Sequence, residues 1–246
     1  MTADDDFQAQ LDQYWSNRAS SYHDFQQHST RSEADQKLWT HLLCPILGPA
    51  AAQPIVDVGT GSGYLAQLLG RAGYLVHGID HAPGMLHEAQ LQANRDNVPI
   101  SFSRQHAQHL AFPTASLPII INRYVLWTLS NPVAALQEWA RVLCPGGKII
   151  VIDAAWFPLG VPQSLNVPSS QGTINFADTY TAKTVLQLPL GTASGVDDYI
   201  ATFHAAGLNT VQYQEIPELA ALDAQFGVSP GHESRPIFLL EWQKPC

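Results

Sequence analysis

The residues best suited to chemistry in this 246-residue chain lie between positions 55 and 65, which read IVDVGTGSGYL. A β-branched run leads through Asp57 to three alternating glycines, Gly59, Gly61 and Gly63, and an apolar helical pattern follows. Because glycine has no Cβ, a ligand can approach the backbone of such a turn closely, beside the partly positive N-terminus of the next helix. The pattern predicts a turn that binds a small ligand at the end of a β-strand.

A second carboxylate, Asp80, stands at the end of the next predicted strand. A carboxylate in this place can accept hydrogen bonds from both hydroxyl groups of a ribose. The glycine turn and Asp80 together predict a cofactor that contains a nucleoside.

The glycines fit two registers, which point to different cofactors. Residues 61–66 match the dinucleotide fingerprint, with alanine at its third position, and would suit a nicotinamide-dependent oxidoreductase. Residues 57–63 instead place a carboxylate before the first glycine, where it repels a pyrophosphate and attracts a cation. That register favours S-adenosylmethionine, which carries a sulfonium and an ammonium group but no phosphate. A module that binds S-adenosylmethionine without catalysis fits the same residues, so three functions stay open at this point.

The elements that position these residues alternate between strand and helix. Strands that are almost continuously apolar, joined by helices, indicate a parallel sheet covered on both faces. Residues 154–195 are rich in Pro, Ser and Thr, and their structure is not predicted. The predicted strands are residues 55–58, 74–79, 100–103, 117–122, 148–152, 210–215 and 237–242, and the predicted helices are residues 65–71, 83–93, 133–143 and 197–206.

Two of these segments resemble the class I S-adenosylmethionine-dependent methyltransferases: residues 57–63 (DVGTGSG) and residues 78–86 (GIDHAPGML). The resemblance runs from about residue 14 to residue 153 and continues more faintly to the end. It implies an α/β fold that is Rossmann-like and doubly wound, with a mostly parallel seven-stranded sheet, an antiparallel last strand and helices on both faces. Three more segments are similar to the small-molecule branch of the family: residues 14–19 (YWSNRA) with Tyr22, residues 122–129 (NRYVLWTL) and residues 141–148 (RVLCPGGK).

The family's organisation implies a single methyltransferase domain over residues 1–246. Residues 1–50 would form an N-terminal lid and helices, residues 51–153 the cofactor-binding core, and residues 154–246 the substrate-side segment with the last helix and strands.

The resemblance also implies roles for particular residues. The turn from Asp57 to Gly63 would hold the methionine portion of S-adenosylmethionine, and Asp80 its ribose. The lid residues would close over the site, although an ordinary amphipathic helix explains them equally well. The implied cofactor contacts are Tyr14, Arg18 (facing the cofactor carboxylate), Tyr22, Asp57, Gly59, Thr60, Gly61, Gly63, Asp80, His81 and Met85 (against the adenine), His106, Ala107, and Asn122 with Arg123 (beside the sulfonium and amino group).

Two segments depart from the family pattern. After strand three the family usually has an acidic residue that accepts a hydrogen bond from the adenine amino group, but residues 105–109 read QHAQH. We hypothesise that His106 replaces this acceptor and that cofactor affinity falls below about pH 6.5, because an imidazolium cannot accept a hydrogen bond. A solvated loop histidine is the alternative. Strand four begins with Leu117 and Pro118, where the family commonly has an aromatic residue and Asp.

The implied reaction is an in-line displacement of the methyl group by a substrate nucleophile, for which the protein mainly aligns the reactants. A general base is needed only if the nucleophile must lose a proton. Tyr124, His204 and His232 are candidates that the sequence does not rank, so no catalytic residue is assigned. Five aromatic residues are candidates for an apolar substrate pocket: Trp127, Trp156, Phe157, Phe176 and Tyr180.

Composition limits the partners. Twelve Lys and Arg against 21 Asp and Glu give a net charge of −9, without the basic clusters that grip nucleic acid. No apolar run approaches the roughly 20 residues that span a bilayer. Three separated cysteines, Cys44, Cys144 and Cys246, favour a cytoplasmic location, and His106 with His109 lacks a third metal ligand nearby. We therefore expect a neutral or cationic small-molecule substrate, no bound metal, and neither nucleic acid nor membrane as a partner.

Overall fold

The computed structural model describes residues 3–28, 32–50, 53–162, 165–170, 172–228 and 233–246, with backbone only for residues 3–6 and 25–28. The strands are β1 (Ile55–Val58), β2 (Val76–Asp80), β3 (Ser101–Arg104), β4 (Leu117–Arg123), β5 (Leu143–Ala154), β6 (Asn166–Ser169), β7 (Gly172–Asn175), β8 (Gln212–Glu215) and β9 (Ile237–Gln243). The helices are α1 (Ala3–His28), α2 (Ser32–Leu47), α3 (Tyr64–Arg71), α4 (Pro83–Arg95), α5 (Pro132–Val142), α6 (Phe176–Thr179), α7 (Ala182–Val185), α8 (Val196–Ala205) and α9 (Pro217–Phe226), with a 3₁₀ turn at Leu126–Thr128.

Seven strands form one sheet in the order β3-β2-β1-β4-β5-β9-β8. β1 pairs in parallel with both β2 and β4, so the strand order reverses at β1. β9 runs antiparallel to both of its neighbours, β5 and β8. The prediction of a mostly parallel, doubly wound sheet with an antiparallel last strand is confirmed. In such sheets ligands bind outside the carboxyl ends of the strands, where the order reverses.

The sequence of α5 explains where this helix begins and ends and which of its faces is buried. The Asn131 side chain accepts a 2.9 Å hydrogen bond from the backbone N–H of Ala134, and Pro132 occupies the first turn, where no N–H is required. The helix ends because Leu143 adopts extended backbone angles, and β5 begins at that residue. The buried stripe of α5 consists of Ala135, Leu136, Trp139 and Val142.

Several boundaries differ from the predictions. β5 begins at Leu143 rather than at residue 148, because the Pro-Gly-Gly segment extends the strand instead of ending the helix in a loop. The β4–β5 register shifts between Leu117 and Ile119, next to Pro118, which has no N–H to give to the ladder. The segment left without a prediction contains the β6–β7 hairpin, α6 and α7. α2 and α9 were not delimited from the sequence.

α1 lies directly against the N-terminal end of α4. A Cβ on Gly84 would stand 2.7 Å from Cα of Ser16, and the backbone N–H of Gly84 donates a 3.1 Å hydrogen bond to the Ser16 hydroxyl. α1 therefore covers the edge of the sheet at which β2 ends. Within the described parts of the chain, no helix has both the length and the apolar character needed to cross a membrane.

Candidate functional site

A cleft opens at the carboxyl ends of β1 to β4, and α1 forms its opposite wall. The empty space within it, counted out into the open solvent at its mouth, is about 990 Å³. The lining residues are Gln8, Leu11, Asp12, Trp15, Tyr22, Asp57, Val58, Gly59, Thr60, Gly61, Leu65, Ile79, Asp80, His81, Ala82, Met85, Gln105, His106, Ala107, Arg123, Tyr124, Val125, Thr128 and Leu129.

The glycine turn has a backbone that other residues adopt poorly. Gly59, Gly61 and Gly63 have φ angles of 66°, 57° and 82°, all in the left-handed region. A Cβ on Gly59 would also lie 2.4 Å from Cγ2 of Val125. The glycines thus let the turn fold tightly between β1 and α3 and present its bare backbone to the cleft.

Asp80 connects the turn to the start of α4. Its Oδ2 accepts a hydrogen bond from the N–H of Gly61 at 2.9 Å, and its Oδ1 accepts one from the N–H of Ala82 at 2.8 Å. Burial raises the pKa of Asp80, while these backbone donors oppose the rise. A carboxylate can accept about four hydrogen bonds, and the backbone N–H of His81 is a third donor to Asp80, so Asp80, which lines the cleft, keeps acceptor capacity for a ribose hydroxyl.

Asp57 is a buried carboxyl group at the end of β1. Its Oδ2 accepts a 2.7 Å hydrogen bond from the Thr60 hydroxyl. Burial raises the pKa of Asp57 to about 7, against the opposing effects of that hydrogen bond and of the Arg123 charge. A cation bound beside Asp57 would favour its ionised form, whereas a pyrophosphate would meet two carboxyl groups, those of Asp57 and Asp80. These two acidic acceptor groups therefore fit a cationic adenosine compound without phosphates.

Arg123 is the only Arg or Lys among the described residues that line the cleft. Its guanidinium carbon lies 4.5 Å from the ring centroid of Tyr64, 4.7 Å from that of Tyr124 and 5.9 Å from that of Trp39. The carboxyl groups of Asp35 and Asp57 interact electrostatically with this guanidinium. Arg123 thus places a positive charge, held by aromatic rings, in the cleft wall.

Tyr124 follows Arg123 with a φ of 65°, which is rare for an aromatic residue and is held by a 2.8 Å hydrogen bond from its N–H to the carbonyl of Ile152. Burial raises the pKa of its phenol, and the charge of Arg123 only partly opposes this. Of the three candidate bases, Tyr124 therefore lines the cleft but stays protonated. His204 is exposed on α8 outside the cleft, and His232 lies outside the described residues.

α1 is fastened across the cleft by polar contacts that the sequence did not suggest. Asp12 accepts a 2.6 Å hydrogen bond from Nδ1 of His81 and lies 3.4 Å from the guanidinium of Arg104. Gln8 donates a 2.8 Å hydrogen bond to Asp12. Gln8 and Asp12 are one helical turn apart, on the same face of α1 as Trp15. This i, i+4 spacing is the feature of the sequence that could have predicted that the three side chains face the same way.

His106 is engaged on both sides of its ring. Its Nδ1 accepts a hydrogen bond from the N–H of Gln108 at 3.2 Å, so its Nε2 carries the proton that is donated to Oε1 of Gln8 at 3.1 Å. The neutral ring therefore has no acceptor left for an adenine amino group. This arrangement departs from the hypothesis that His106 replaces the acidic acceptor, because the local backbone already occupies the lone pair.

Four residues implied by the resemblance do not line the cleft. Tyr14 and Arg18 are buried on a neighbouring stripe of α1, where Arg18 donates a 3.1 Å hydrogen bond to the Tyr14 hydroxyl instead of facing the cleft. Asn122 is buried and alternates with Arg123 along β4, so it points to the other face of the sheet. Gly63 faces Ala89 of α4. The implied residues that do line the cleft are Tyr22, Asp57, Gly59, Thr60, Gly61, Asp80, His81, Met85, His106, Ala107 and Arg123.

The aromatic residues expected to line an apolar pocket pack on one another instead. The rings of Phe176 and Tyr180 stack at 4.3 Å between centroids, and Trp127 lies 5.2 Å from Tyr180 and 5.6 Å from Phe157. Trp156 contacts the ring of Tyr124 at 4.9 Å. These side chains are buried, so they form a core layer behind the cleft. Among the described residues, no group of three or more His, Cys, Asp or Glu could hold a metal ion.

Comparison with known proteins agrees with this geometry. Residues 56–151 match the family model described as a methyltransferase domain. The chain is 34% identical over 116 residues to a demethylmenaquinone methyltransferase of Tropheryma whipplei, covering 47% of each chain. It is 33% identical over 130 residues to an aklanonic acid methyltransferase of a Streptomyces species, covering 49% of this chain and 59% of the relative. The matched part therefore spans about half the length of these curated relatives.

Among solved structures, the fold is similar to a putative methyltransferase of Haloferax volcanii in complex with the Trm112 methyltransferase activator. The TM-score is 0.59 at 17% identity, covering 94% of this chain and 98% of the other. A putative sarcosine dimethylglycine methyltransferase of Galdieria sulphuraria has a TM-score of 0.58 at 16% identity, covering 87% and 86%. These likenesses establish the fold of the sheet and its helices.

Proposed function

We propose, because residues 56–151 match the family model described as a methyltransferase domain, that this protein transfers a methyl group from S-adenosylmethionine to a small-molecule nucleophile. The observation that carries the proposal is the pairing of Asp57 before the glycine turn with Asp80 after β2, both in one cleft. When bound, S-adenosylmethionine supplies a methyl group made electrophilic by the positive charge on sulfur.

The proposed contacts follow the walls of the cleft. Asp57 and the turn backbone would hold the cationic methionine end, and Asp80 the ribose. His81 and Met85 would pack against the adenine, and α1 would keep water out through Leu11 and Trp15. Exclusion of water strengthens every electrostatic contact inside the site and prevents hydrolysis.

The acceptor class is proposed from the relatives and from charge. The similar curated proteins carry the names of small-molecule methyltransferases, which supports a small-molecule acceptor here. The net charge of −9 weighs against nucleic acid as a substrate. We also propose that residues 1–246 work as one domain in the cytoplasm, for which the three free cysteines give support.

The test is incubation of the purified protein with S-adenosylmethionine and fractionated small-molecule extracts, with S-adenosylhomocysteine formation as the readout. We expect turnover with at least one fraction, loss of turnover in Asp80→Ala, and unchanged turnover in Asp197→Asn, which removes a carboxylate exposed on α8. Binding of S-adenosylmethionine without turnover in any fraction would favour a non-catalytic binding module.

A further inference from the structure

We propose that Gln8, on α1, recognises the adenine base of S-adenosylmethionine: its side-chain amide accepts a hydrogen bond from the 6-amino group and donates one to the neighbouring ring nitrogen. This inference rests on the proposed function and adds the residue that selects adenine over other purines. It follows from the place of Gln8 in the cleft, from the two contacts that orient its amide, and from the commitments of the other polar groups nearby.

Gln8 lies at the end of the cleft that a base would reach from a ribose bound at Asp80. The next residue, His81, has its ring 5.0 Å from the ring of His106, measured between centroids. Nε2 of His106 is in turn 3.1 Å from Oε1 of Gln8. A base that extends from Asp80 past His81 would therefore meet the amide of Gln8, which is half-buried and lines the cleft.

Two hydrogen bonds fix which way the Gln8 amide points. Its Oε1 accepts the Nε2 proton of His106 at 3.1 Å, and its Nε2 donates to Oδ1 of Asp12 at 2.8 Å. If the amide turned over, a donor would face the His106 N–H and an acceptor would face the Asp12 carboxylate. The amide therefore cannot turn over to suit a different base without losing both bonds.

The fixed amide keeps one donor and one acceptor for a ligand. A primary amide has two N–H donors and two acceptor lone pairs, and in the part of the chain that the structure describes only His106 and Asp12 bond to that of Gln8. Adenine presents the complementary groups, an amino N–H beside the lone pair of a ring nitrogen. Glutamine forms two hydrogen bonds with these groups when it reads adenine in DNA.

Two other side chains at this end of the cleft are committed to their own loop. The lone pair of His106 is occupied by the N–H of Gln108. Gln105 accepts a 2.8 Å hydrogen bond from the N–H of Ala111 and donates one of the same length to the Ser103 hydroxyl. The loop after β3 thus uses these groups to hold its own shape.

Asp12 is the remaining acceptor nearby. It accepts hydrogen bonds from Gln8 and His81 and lies 3.4 Å from the guanidinium of Arg104, so three donors already share a carboxylate that can accept about four. A carboxylate could bind the amino group of adenine but could not donate to its ring nitrogen. An amide selects for both groups.

The assignment moves recognition of the base from the loop after β3 to α1. The acidic residue that the family usually has in that loop is absent from residues 105–109, which read QHAQH. Because Gln8 belongs to α1, the bound base would bridge the sheet and this helix. Cofactor binding would therefore hold α1 in place across the cleft, and the strength of that effect would depend on the base.

The test is calorimetric binding of S-adenosylhomocysteine and of S-inosylhomocysteine, which carries a 6-oxo group in place of the 6-amino group. The oxo group would set an acceptor against Oε1 of Gln8. We expect the wild type to bind S-adenosylhomocysteine at least about tenfold more tightly, and Gln8→Met to lose about tenfold of its preference, the effect of one unmatched hydrogen-bonding group. Gln13→Met removes an amide from the exposed face of α1 and should keep the wild-type preference.

Hydrogen exchange gives a second readout. At equal saturation, S-adenosylhomocysteine should slow exchange in residues 7–24 of the wild type more than S-inosylhomocysteine does, and the two compounds should act alike in Gln8→Met. Equal slowing by both compounds in the wild type would show that the base does not contact α1.

Three binding results would also overturn the assignment. These are equal affinities of the wild type for the two compounds, an unchanged preference in Gln8→Met, and a loss of preference in Gln105→Met instead. If S-adenosylhomocysteine binds in those cases, the proposed function survives and the base is read by another group. If neither compound binds the wild type, the proposed function falls and the assignment falls with it.

Discussion

The backbone N–H of Gly61 donates a 2.9 Å hydrogen bond to Oδ2 of Asp80, which ties the middle of the glycine turn to the end of β2. The same carboxylate accepts from the N–H of Ala82 with its other oxygen. Asp80 therefore fixes two loops of the cleft as well as offering an acceptor to a ribose. This double role explains why a single carboxylate can order the site before any ligand arrives.

Replacement of Asp80 should weaken the cofactor more than it weakens the fold. Asp80→Asn exchanges one acceptor oxygen for an amide donor, so that a hydroxyl contact and one backbone hydrogen bond are lost. We expect S-adenosylhomocysteine affinity to fall about 10–100-fold and stability by about 1 kcal/mol. Calorimetry and urea unfolding measure the two effects. Asp197→Asn, the same charge change on α8, should alter neither; an unchanged affinity in Asp80→Asn would contradict the ribose contact.

Cofactor affinity should depend on the ionisation of Asp57. The pKa of Asp57 is raised to about 7 by burial, so the group must lose a proton below that pH before it can attract a cationic ligand. Affinity for S-adenosylmethionine should therefore rise by up to about tenfold per pH unit below pH 7 and level off above it. Calorimetry from pH 5.5 to 8.5 gives the profile.

Two variants separate Asp57 from His106 as the source of this profile. Asp57→Asn should flatten the profile and bind weakly throughout, whereas His106→Gln should keep the wild-type slope. A slope that vanishes only in His106→Gln would restore the hypothesis that His106 controls the pH dependence.

The close approach of α1 to α4 predicts a strong effect of one methyl group. In Gly84→Ala the new Cβ would stand 2.7 Å from Cα of Ser16 and 2.8 Å from its carbonyl oxygen, so α1 must move. We expect a loss of about 1–3 kcal/mol, faster hydrogen exchange in residues 7–24, and weaker cofactor binding. Gly195→Ala meets no atom within 4 Å and should be neutral. Wild-type exchange in Gly84→Ala would show that α1 does not form the cleft wall.

Asp153 should make stability fall as the pH rises. This buried carboxyl accepts hydrogen bonds through Oδ1 from the Ala154 N–H at 2.9 Å and from Nε1 of Trp156 at 2.7 Å. Burial raises its pKa to about 7, above the unfolded value of about 4, so its contribution is complete below pH 4 and is lost as the pH rises to 7.

The corresponding measurement is urea unfolding between pH 4 and pH 7. Asp153→Asn keeps the Oδ1 acceptor and should remove a slope of up to about 1.4 kcal/mol per pH unit. Asp198→Asn is the matched comparison, because hydrogen bonds from Ser194 lower the pKa of Asp198 and its titration lies below this window. Parallel pH profiles for the wild type and Asp153→Asn would show that Asp153 is ionised in the folded protein.

The parts of the fold that could be predicted are those encoded locally. The position of the cleft could be predicted from three local features. These are the β-branched run that leads into Asp57, the glycines after it, and Asp80 at the end of the next strand. Their signal is steric and short-range, because left-handed turns require glycine. The alternation of strand and helix patterns predicted the parallel sheet, because those patterns are also short-range features of the sequence.

The rest depended on contacts between distant segments. The hydrogen bond between Asp12 and His81 joins residues 69 positions apart, and no local pattern marks either residue as its partner. Trp15 faces the cleft and Arg18 does not, because of how α1 is rotated about its own axis. The apolar and polar residues of α1 alternate too evenly for the sequence to reveal this rotation. The lone pair of His106 is occupied by the neighbouring Gln108 N–H, a detail of loop geometry that residue type does not encode.

The most direct test of the account is calorimetric titration of the wild-type protein with S-adenosylmethionine, S-adenosylhomocysteine and NAD under identical conditions at pH 8. Asp57 and Asp80 together should admit the two phosphate-free adenosine compounds and reject the pyrophosphate of NAD. Saturable binding of both sulfur compounds, with no heat from NAD, is the predicted result. Binding of NAD, or no binding of S-adenosylmethionine, would contradict it.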